Sequence, residues 1–208
     1  MPENMPRIAT EPLPSRVLAD ALPQASRSLE WAKQAGIVIC ASLFVALCAK
    51  VTLPLPTPVP LTMQNFGVLA VGLMLGSRRG FAALALYLAE GAMGLPVFSP
   101  SILGGGMAQL LGPTGGFLMA YPLVAFVAGW IYEKSVTRSS LRFAWAALSS
   151  VAAEGVLFVG GLSWLALQTH SIALAIRLGL YWFVFAEVIK VLMAAAAAAR
   201  WGKRVSQF

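Results

Sequence analysis

Along this chain, apolar stretches of helical length alternate with short segments rich in glycine, proline or charge. The apolar stretches predict six helices, at about residues 35–49, 61–75, 81–93, 117–131, 143–165 and 178–199. Crossing a hydrocarbon core of roughly 30 Å takes about 20 apolar residues. The third stretch is short by that measure unless Glu90 is accepted inside it, and a re-entrant segment is the alternative there. Two segments read as non-helical. Leu53-Pro-Leu-Pro-Thr-Pro-Val-Pro60 has proline at alternate positions, which forbids a helix and favours extended backbone. Residues 94–116 run from Gly94-Leu-Pro-Val-Phe98 through Gly104-Gly-Gly106 to Gly112-Pro-Thr-Gly-Gly116 and read as a long, uncharged loop. Irregular backbone near membrane depth is tolerated only where it is buried or lines a cavity. That makes the loop a candidate wall for a small-molecule site. Residues 1–30 are polar and proline-rich without apolar periodicity, and predict a disordered tail ahead of one domain over residues 31–208.

Composition turns this pattern into a membrane protein. Apolar residues make up 59% of the chain and charged ones 11%, against roughly 45–50% and about 25% in soluble domains. The net charge of +7 is spread in small groups between apolar runs, so it does not form a stripe for nucleic acid. Arg7, Arg16, Arg27 and Lys33 precede the first helix, Arg78 and Arg79 separate the second from the third, and Lys134, Arg138 and Arg142 separate the fourth from the fifth. Arg200, Lys203 and Arg204 follow the sixth, whereas the remaining loops hold little beyond Lys50, His170 and Arg177. Positive charge collects on the cytoplasmic side. The reading is therefore an all-α protein of six transmembrane helices in the cytoplasmic membrane, with both termini cytoplasmic and the Gly/Pro-rich loops outside. Cys40 and Cys48 lie about 12 Å apart along one helix, too far to pair with each other.

Chemistry inside the apolar runs is sparse. Glu90, Glu154, Glu187 and Lys190 are the ionisable groups there, and such groups are functional candidates because burying them is costly. Glu187 and Lys190 are three residues apart and share one helix face. They read either as a self-neutralising pair or as an acceptor and donor offered to a polar ligand. Glu90 lies at the loop end of its helix, within reach of interfacial water, and Glu154 reads as a packing partner. No Walker-type Gly-x-x-x-x-Gly-Lys sequence is present, so the chain is not expected to hydrolyse ATP by itself. His170 stands alone in a loop, and no metal-ligand spacing or nucleophile pair accompanies it. An intramembrane acid–base enzyme using Glu187 and Lys190 is the alternative in another class, and a helical scaffold is a third. The run Ala194–Ala199 reads as a face for close helix packing, and Ser42 and Ala46 form a weaker small-residue ridge for an external partner.

Four motifs in order, Val59-Pro-Leu-Thr-Met-Gln64, Gly76-Ser-Arg-Arg-Gly80, Gly91-Ala-Met-Gly-Leu-Pro-Val-Phe98 and Gly112-Pro-Thr-Gly-Gly-Phe117, resemble the BioY family. These are the biotin-capturing S components of energy-coupling-factor (ECF) vitamin transporters. The resemblance covers about residues 33–200. It implies high-affinity biotin capture and uptake rather than enzymatic activity, with biotin as the carried ligand and no cofactor. It also implies a pocket near the outer face roofed by the first and third loops, and a partner module of one transmembrane T component with two ATPases. The family's sixth-helix pattern Phe-x-Pro-Gly-Asp-x-x-Lys is similar to Phe183-Val-Phe-Ala-Glu-Val-Ile-Lys190, which keeps the acid and the lysine in register. On this resemblance Glu187 faces the ureido N–H groups and Lys190 a carbonyl or carboxylate, with Phe98, Tyr87 and Trp164 as aromatic walls. Gln64 and the backbone of Gly104, Gly105 and Gly106 complete the implied biotin contacts, and the ridge at Ser42 and Ala46 the partner contact.

The charge pattern generates a topology test. Single cysteines at Ser101→Cys and Ser139→Cys, in a background with Cys40 and Cys48 replaced by alanine, are treated with an impermeant thiol reagent from outside. Labelling of position 101 and protection of position 139 is the expected outcome. The reverse result would overturn the orientation.

Overall fold

The first helix, α1 (Ser15–Lys50), starts well before the apolar run predicted from residue 35. Arg16-Val-Leu-Ala-Asp-Ala-Leu22 is rich in good helix formers, and propensity there outweighs the polar, proline-rich composition that predicts a disordered tail. This computed structural model describes residues 15–53, 55, 59–101, 104–136 and 141–201. The rest of the tail, Pro54, Pro56 and Pro58 of the first loop, Arg138 and Ser139, and the terminal Lys203 and Arg204 lie outside the described residues. The chain forms two compact units, Met1–Ile37 and Val38–Phe208, and the packing below belongs to the second.

Within that unit α1 is amphipathic. Ala41, Ser42, Val45, Ala46 and Ala49 are buried, while Ile39, Leu43, Phe44 and Leu47 are exposed, a helical stripe with its apolar back left for lipid. A minimal antiparallel ribbon, β1 (Thr52–Leu53) with β2 (Leu61–Thr62), closes the first loop in the register Thr52↔Thr62 and Leu53↔Leu61. β1 takes in Leu53, the first residue of the segment predicted to be extended, and Pro54 and residues 56–58 lie outside the described residues.

Helices α2 (Gln64–Leu75) and α3 (Ser77–Ala92) meet at a single residue, Gly76, with φ +85°. The sequence reading placed a basic connector at residues 76–80. Instead, Arg78, Arg79 and Gly80 form the first turn of α3. Two positive charges at a helix N-terminus oppose its dipole, and Glu133 offsets them. Its carboxylate accepts from the Ser77 N–H at 3.0 Å and from the Ser77 hydroxyl at 2.9 Å. A Cβ on Gly76 would collide with that carboxylate, so only glycine permits both the left-handed turn and the cap.

The loop over residues 94–116 is not wholly irregular, since it carries the short helix α4 (Met107–Leu111). Then follow α5 (Gly115–Val136) and α6 (Arg142–Thr169), which ends at His170 with φ +52°. The predicted sixth helix is broken. α7 (Ile172–Gly179) and α8 (Val184–Trp201) are bent by 54° around residues 180–183. The bend comes before Phe185 and Ala186, so it forms without the proline and glycine of the resembled pattern.

α5 is central, packing most extensively against α6, α3 and α2, while α8 packs on α6 and α2. Ala194, Ala195 and Ala198 are fully buried, so the alanine run serves close packing inside the fold. Three helical segments among the described residues are long and apolar enough to span a bilayer: Ser28–Lys50, Gly115–Val136 and Arg142–Thr169. The bent α7–α8 pair makes a fourth if taken as one span. α2, with 12 residues, is about 18 Å long. Leu123, Phe126, Leu148, Val151, Val159, Leu192 and Met193 are exposed on α5, α6 and α8, an outward apolar surface suited to lipid. The protein is a multi-pass, mainly helical membrane protein.

Where α2, α3 and α5 cross, backbone touches backbone. A Cβ on Gly129 would lie 2.5 Å from the Ser77 nitrogen, and one on Gly72 would lie 2.5 Å from the Ala125 carbonyl oxygen. By contrast, a Cβ on Gly155 of α6 meets nothing within 4 Å. Gly129→Ala is therefore expected to destabilise by about 1–3 kcal/mol through overpacking. Gly155→Ala should be neutral or gain up to about 1 kcal/mol from helix propensity. Thermal unfolding in detergent checks both, and equal shifts would contradict the packing assigned to this crossing.

Candidate functional site

Two polar clusters lie inside this apolar bundle, and the first turn of α2 feeds both. Asn65 faces one and Gln64 the other.

The first cluster is a buried charge network. Lys190 Nζ donates to Glu187 Oε1 at 2.6 Å, with both side chains less than a tenth exposed. Asn65 Nδ2 donates to Glu187 Oε2 and to Glu154 Oε1, each at 2.6 Å. Glu154, read from sequence as a packing partner, thus belongs to the network from α6. Two carboxyl groups, one ammonium and one amide share a buried site. Charges so placed persist only when paired and hydrogen-bonded.

A cleft with an open mouth lies against this network. Val59, Pro60 and Thr62 of the first loop form one side, and Phe117 and Tyr121 of α5 another. Leu157 and Phe158 of α6 with Gly179 and Phe183 near the α7–α8 bend complete the apolar wall, and Asn65, Glu187 and Lys190 supply the polar end. Gly179 is needed for closeness, because a Cβ there would press on Leu162, Leu165 and Phe117. Gly179 and Phe183, at the two ends of the bend, line the same cleft as Glu187 and Lys190.

The second cluster holds a loop. Gln64 Nε2 donates to the Tyr87 hydroxyl at 2.9 Å, and that hydroxyl donates to the Val97 carbonyl at 2.9 Å. Lys50 Nζ donates to the carbonyls of Pro96 at 2.6 Å and Phe98 at 2.9 Å, and Gln109 Nε2 to that of Ser99 at 3.1 Å. Four successive carbonyls, from Pro96 to Ser99, are thereby each met by a side chain. This replaces the ladder that an irregular segment lacks. Phe98 packs edge-on to Tyr87 at 5.4 Å between centroids, in space left by the missing side chain of Gly91.

Of the residues that sequence and resemblance single out, Glu187 and Lys190 line the cleft. Gln64, Tyr87 and Phe98 are instead in the loop clamp. Trp164 does not line the cleft: its Nε1 donates to the Gly112 carbonyl at 2.9 Å and its side chain packs on Gly116. Gly104 and Gly105 are exposed, and Gly106 packs near Gly94 with φ +71°, so this triplet does not line the cleft either. Ser42 and Ala46 face inward, the Ser42 hydroxyl donating to Glu90. In this conformation neither offers surface to a partner, because the small residues sit on the packed stripe of α1. Among the described residues no group of three or more His, Cys, Asp or Glu side chains could hold a metal ion.

Sequence reasoning missed Asn65, Tyr121 and Phe117. Asn65 could have been suspected as an amide beside Gln64 at the start of an apolar helix. The aromatic residues of α5 carry no signal that separates a cleft wall from a core.

The chain matches the BioY family over residues 21–207. It is 40% identical to the biotin transporter BioY of Thermotoga maritima, covering 78% of this chain and 94% of that protein. It is 36% identical to the probable biotin transporter BioY of Pyrococcus horikoshii, covering 81% and 96%. Its fold is similar to a crystal structure of the S-component for biotin from an ECF-type ABC transporter, with a TM-score of 0.75 and 23% identity over 84% of this chain and 93% of that one.

The clamp generates its own test. Tyr87→Phe leaves the Val97 carbonyl and the Gln64 amide without their buried partner, a cost of about 1–3 kcal/mol. Lys50→Met releases the carbonyls on either side. Both variants are expected to melt earlier and to be cut faster by protease within residues 94–101. Unchanged melting and unchanged cleavage would show that the clamp does not hold the loop.

Proposed function

The chain belongs to the BioY family, and on that premise we propose that it captures biotin with high affinity for uptake across the cytoplasmic membrane. The observation that carries this is the Asn65–Glu187–Lys190 network at the polar end of an apolar cleft. Biotin offers two ureido N–H donors and a carbonyl acceptor on an apolar bicycle. Each Glu187 oxygen accepts one bond and keeps a lone pair for a ureido N–H. Lys190 has three N–H donors, and the one given to Glu187 leaves others for the ureido carbonyl. Phe117, Phe158 and Phe183 supply walls for the bicycle. The relatives' names are those of transporters, which favours capture over acid–base catalysis by the same pair.

The finer architecture is part of the proposal. Six crossings, α1, α2, α3, α5, α6 and the bent α7–α8, put both termini in the cytoplasm and the first and third loops outside, capping the cleft. The basic segments of the sequence support that orientation. Residues 31–208 form the binding unit, with the first 30 residues dispensable for capture. As an ECF-type substrate-binding subunit the chain would work with a T component and two ATPases. It would present them the exposed face of α1 rather than the buried Ser42 and Ala46.

Three variants test the binding role: Glu187→Gln, Lys190→Met and the double variant. Each single change is expected to weaken biotin binding by about 2–4 kcal/mol, the scale for losing one partner of a buried charged hydrogen bond. The double variant, though folded, should remain a poor binder. Titration calorimetry on monodisperse protein reads this directly. Recovery of full biotin affinity by the double variant would reduce the pair to mutual neutralisation and overturn the assignment.

A further inference from the structure

We infer that Asn65 is a specificity-determining residue, its amide oxygen accepting one ligand N–H, and that Glu154 is the positioning residue that fixes it in that role. Asn65 is 3% exposed and lines the cleft, yet its Oδ1 has no hydrogen-bond partner. Buried amide oxygens are nearly always paired, and an orphan on a cleft-lining residue is a place for a ligand donor. The orientation of the amide is settled by chemistry. Both hydrogens of Nδ2 are spent, one on Glu187 Oε2 and one on Glu154 Oε1. Turning the amide over would set Oδ1 about 2.6 Å from Glu187 Oε2, on the same carboxyl group that accepts from Lys190, acceptor against acceptor. Oδ1 is therefore an obligate acceptor and rejects any ligand atom that cannot donate.

Glu154 does not line the cleft, and its second oxygen is also unpartnered. A carboxyl group so buried is costly, and its one bond to a neighbour is the bond to Asn65. By holding the second amide hydrogen it stops Asn65 from rotating about its side chain and turning Oδ1 out of the cleft. α2 and α6 have few direct contacts of their own, so this hydrogen bond is a main link between them at the site.

The inference rests on the biotin reading above and divides its two ureido N–H donors, Glu187 taking one and Asn65 the other. The probes are biotin and its two carbamate analogues, in which a ring oxygen replaces one N–H or the other. Wild-type protein is expected to bind each analogue about ten-fold or more weaker than biotin, since each loses one donor. In Asn65→Ala, or in the closer-sized Asn65→Leu should the first fail to fold, the penalty for one analogue should vanish while the other persists. Glu154→Leu should erode the same penalty, and Glu154→Gln, whose side-chain oxygen can still accept from Asn65, should restore it. A merely structural role would lower all affinities together and leave their ratios unchanged. Wild-type protein that binds biotin and both analogues alike would overturn the inference without any variant. Retention of both penalties in a folded Asn65 variant would do the same. Failure of wild-type protein to bind biotin at all would overturn the biotin reading as well, so the two failures are distinguishable.

Discussion

Everything at the polar end of this bundle depends on burying two carboxyl groups and one ammonium together. Lys190 alone cannot do it, because it bonds one oxygen of Glu187 and leaves Glu154 across the site. Asn65 completes the arrangement by donating to both acids from one nitrogen. That requirement sets positions on three helices at once. α2 must start near residue 64, α6 must bring residue 154 level with it, and α8 must turn Glu187 and Lys190 inward. The break at residues 180–183 lies beside them, and Gly179 and Phe183 line the cleft with Glu187 and Lys190. Removing Glu187 or Lys190 alone leaves a buried charge without its counter-charge, the costliest kind of single change in such a site.

The loop clamp and the charge network are coupled through adjacent residues. Gln64 and Asn65 occupy the first turn of α2, and β2 delivers the chain to that turn. Gln64 ties the turn to Tyr87 and thereby to the carbonyl of Val97. Displacement of the loop over residues 94–101 therefore pulls on the same turn that aims Asn65 into the cleft. Gly72 and Gly129 hold the other end of α2 against α5 by backbone contact.

Hydrophobic patterning made the helices of this fold legible, because period and length are strong signals in apolar sequence. It misjudged places where local chemistry overrides apolarity. The start of α1 is set by propensity in a polar segment, and the basic run at residues 77–80 is helical because Glu133, distant in sequence, caps it. The break between α7 and α8 has no proline or glycine at residues 180–183 to announce it. In the site, ionisable residues inside apolar runs singled out Glu187 and Lys190 correctly as a pair on one face. Gln64, Tyr87, Phe98 and Trp164 were legible as important but not as loop anchors. Their partners are backbone carbonyls, which leave no trace in side-chain identity. Asn65 was only faintly legible for the opposite reason: a neutral amide gains its meaning from two acids 89 and 122 positions away.

The central claim is that biotin sits in the cleft between α2, α5 and α8, with its ureido ring on the charge network. A structure of the purified protein with biotin bound tests this most directly. The account expects the ureido ring within hydrogen-bond distance of Glu187, Lys190 and Asn65, with the bicycle against Phe117 and Phe183. Biotin found instead beneath Gly104–Gly106 and Trp164, with the Glu187–Lys190 bond untouched, would contradict it.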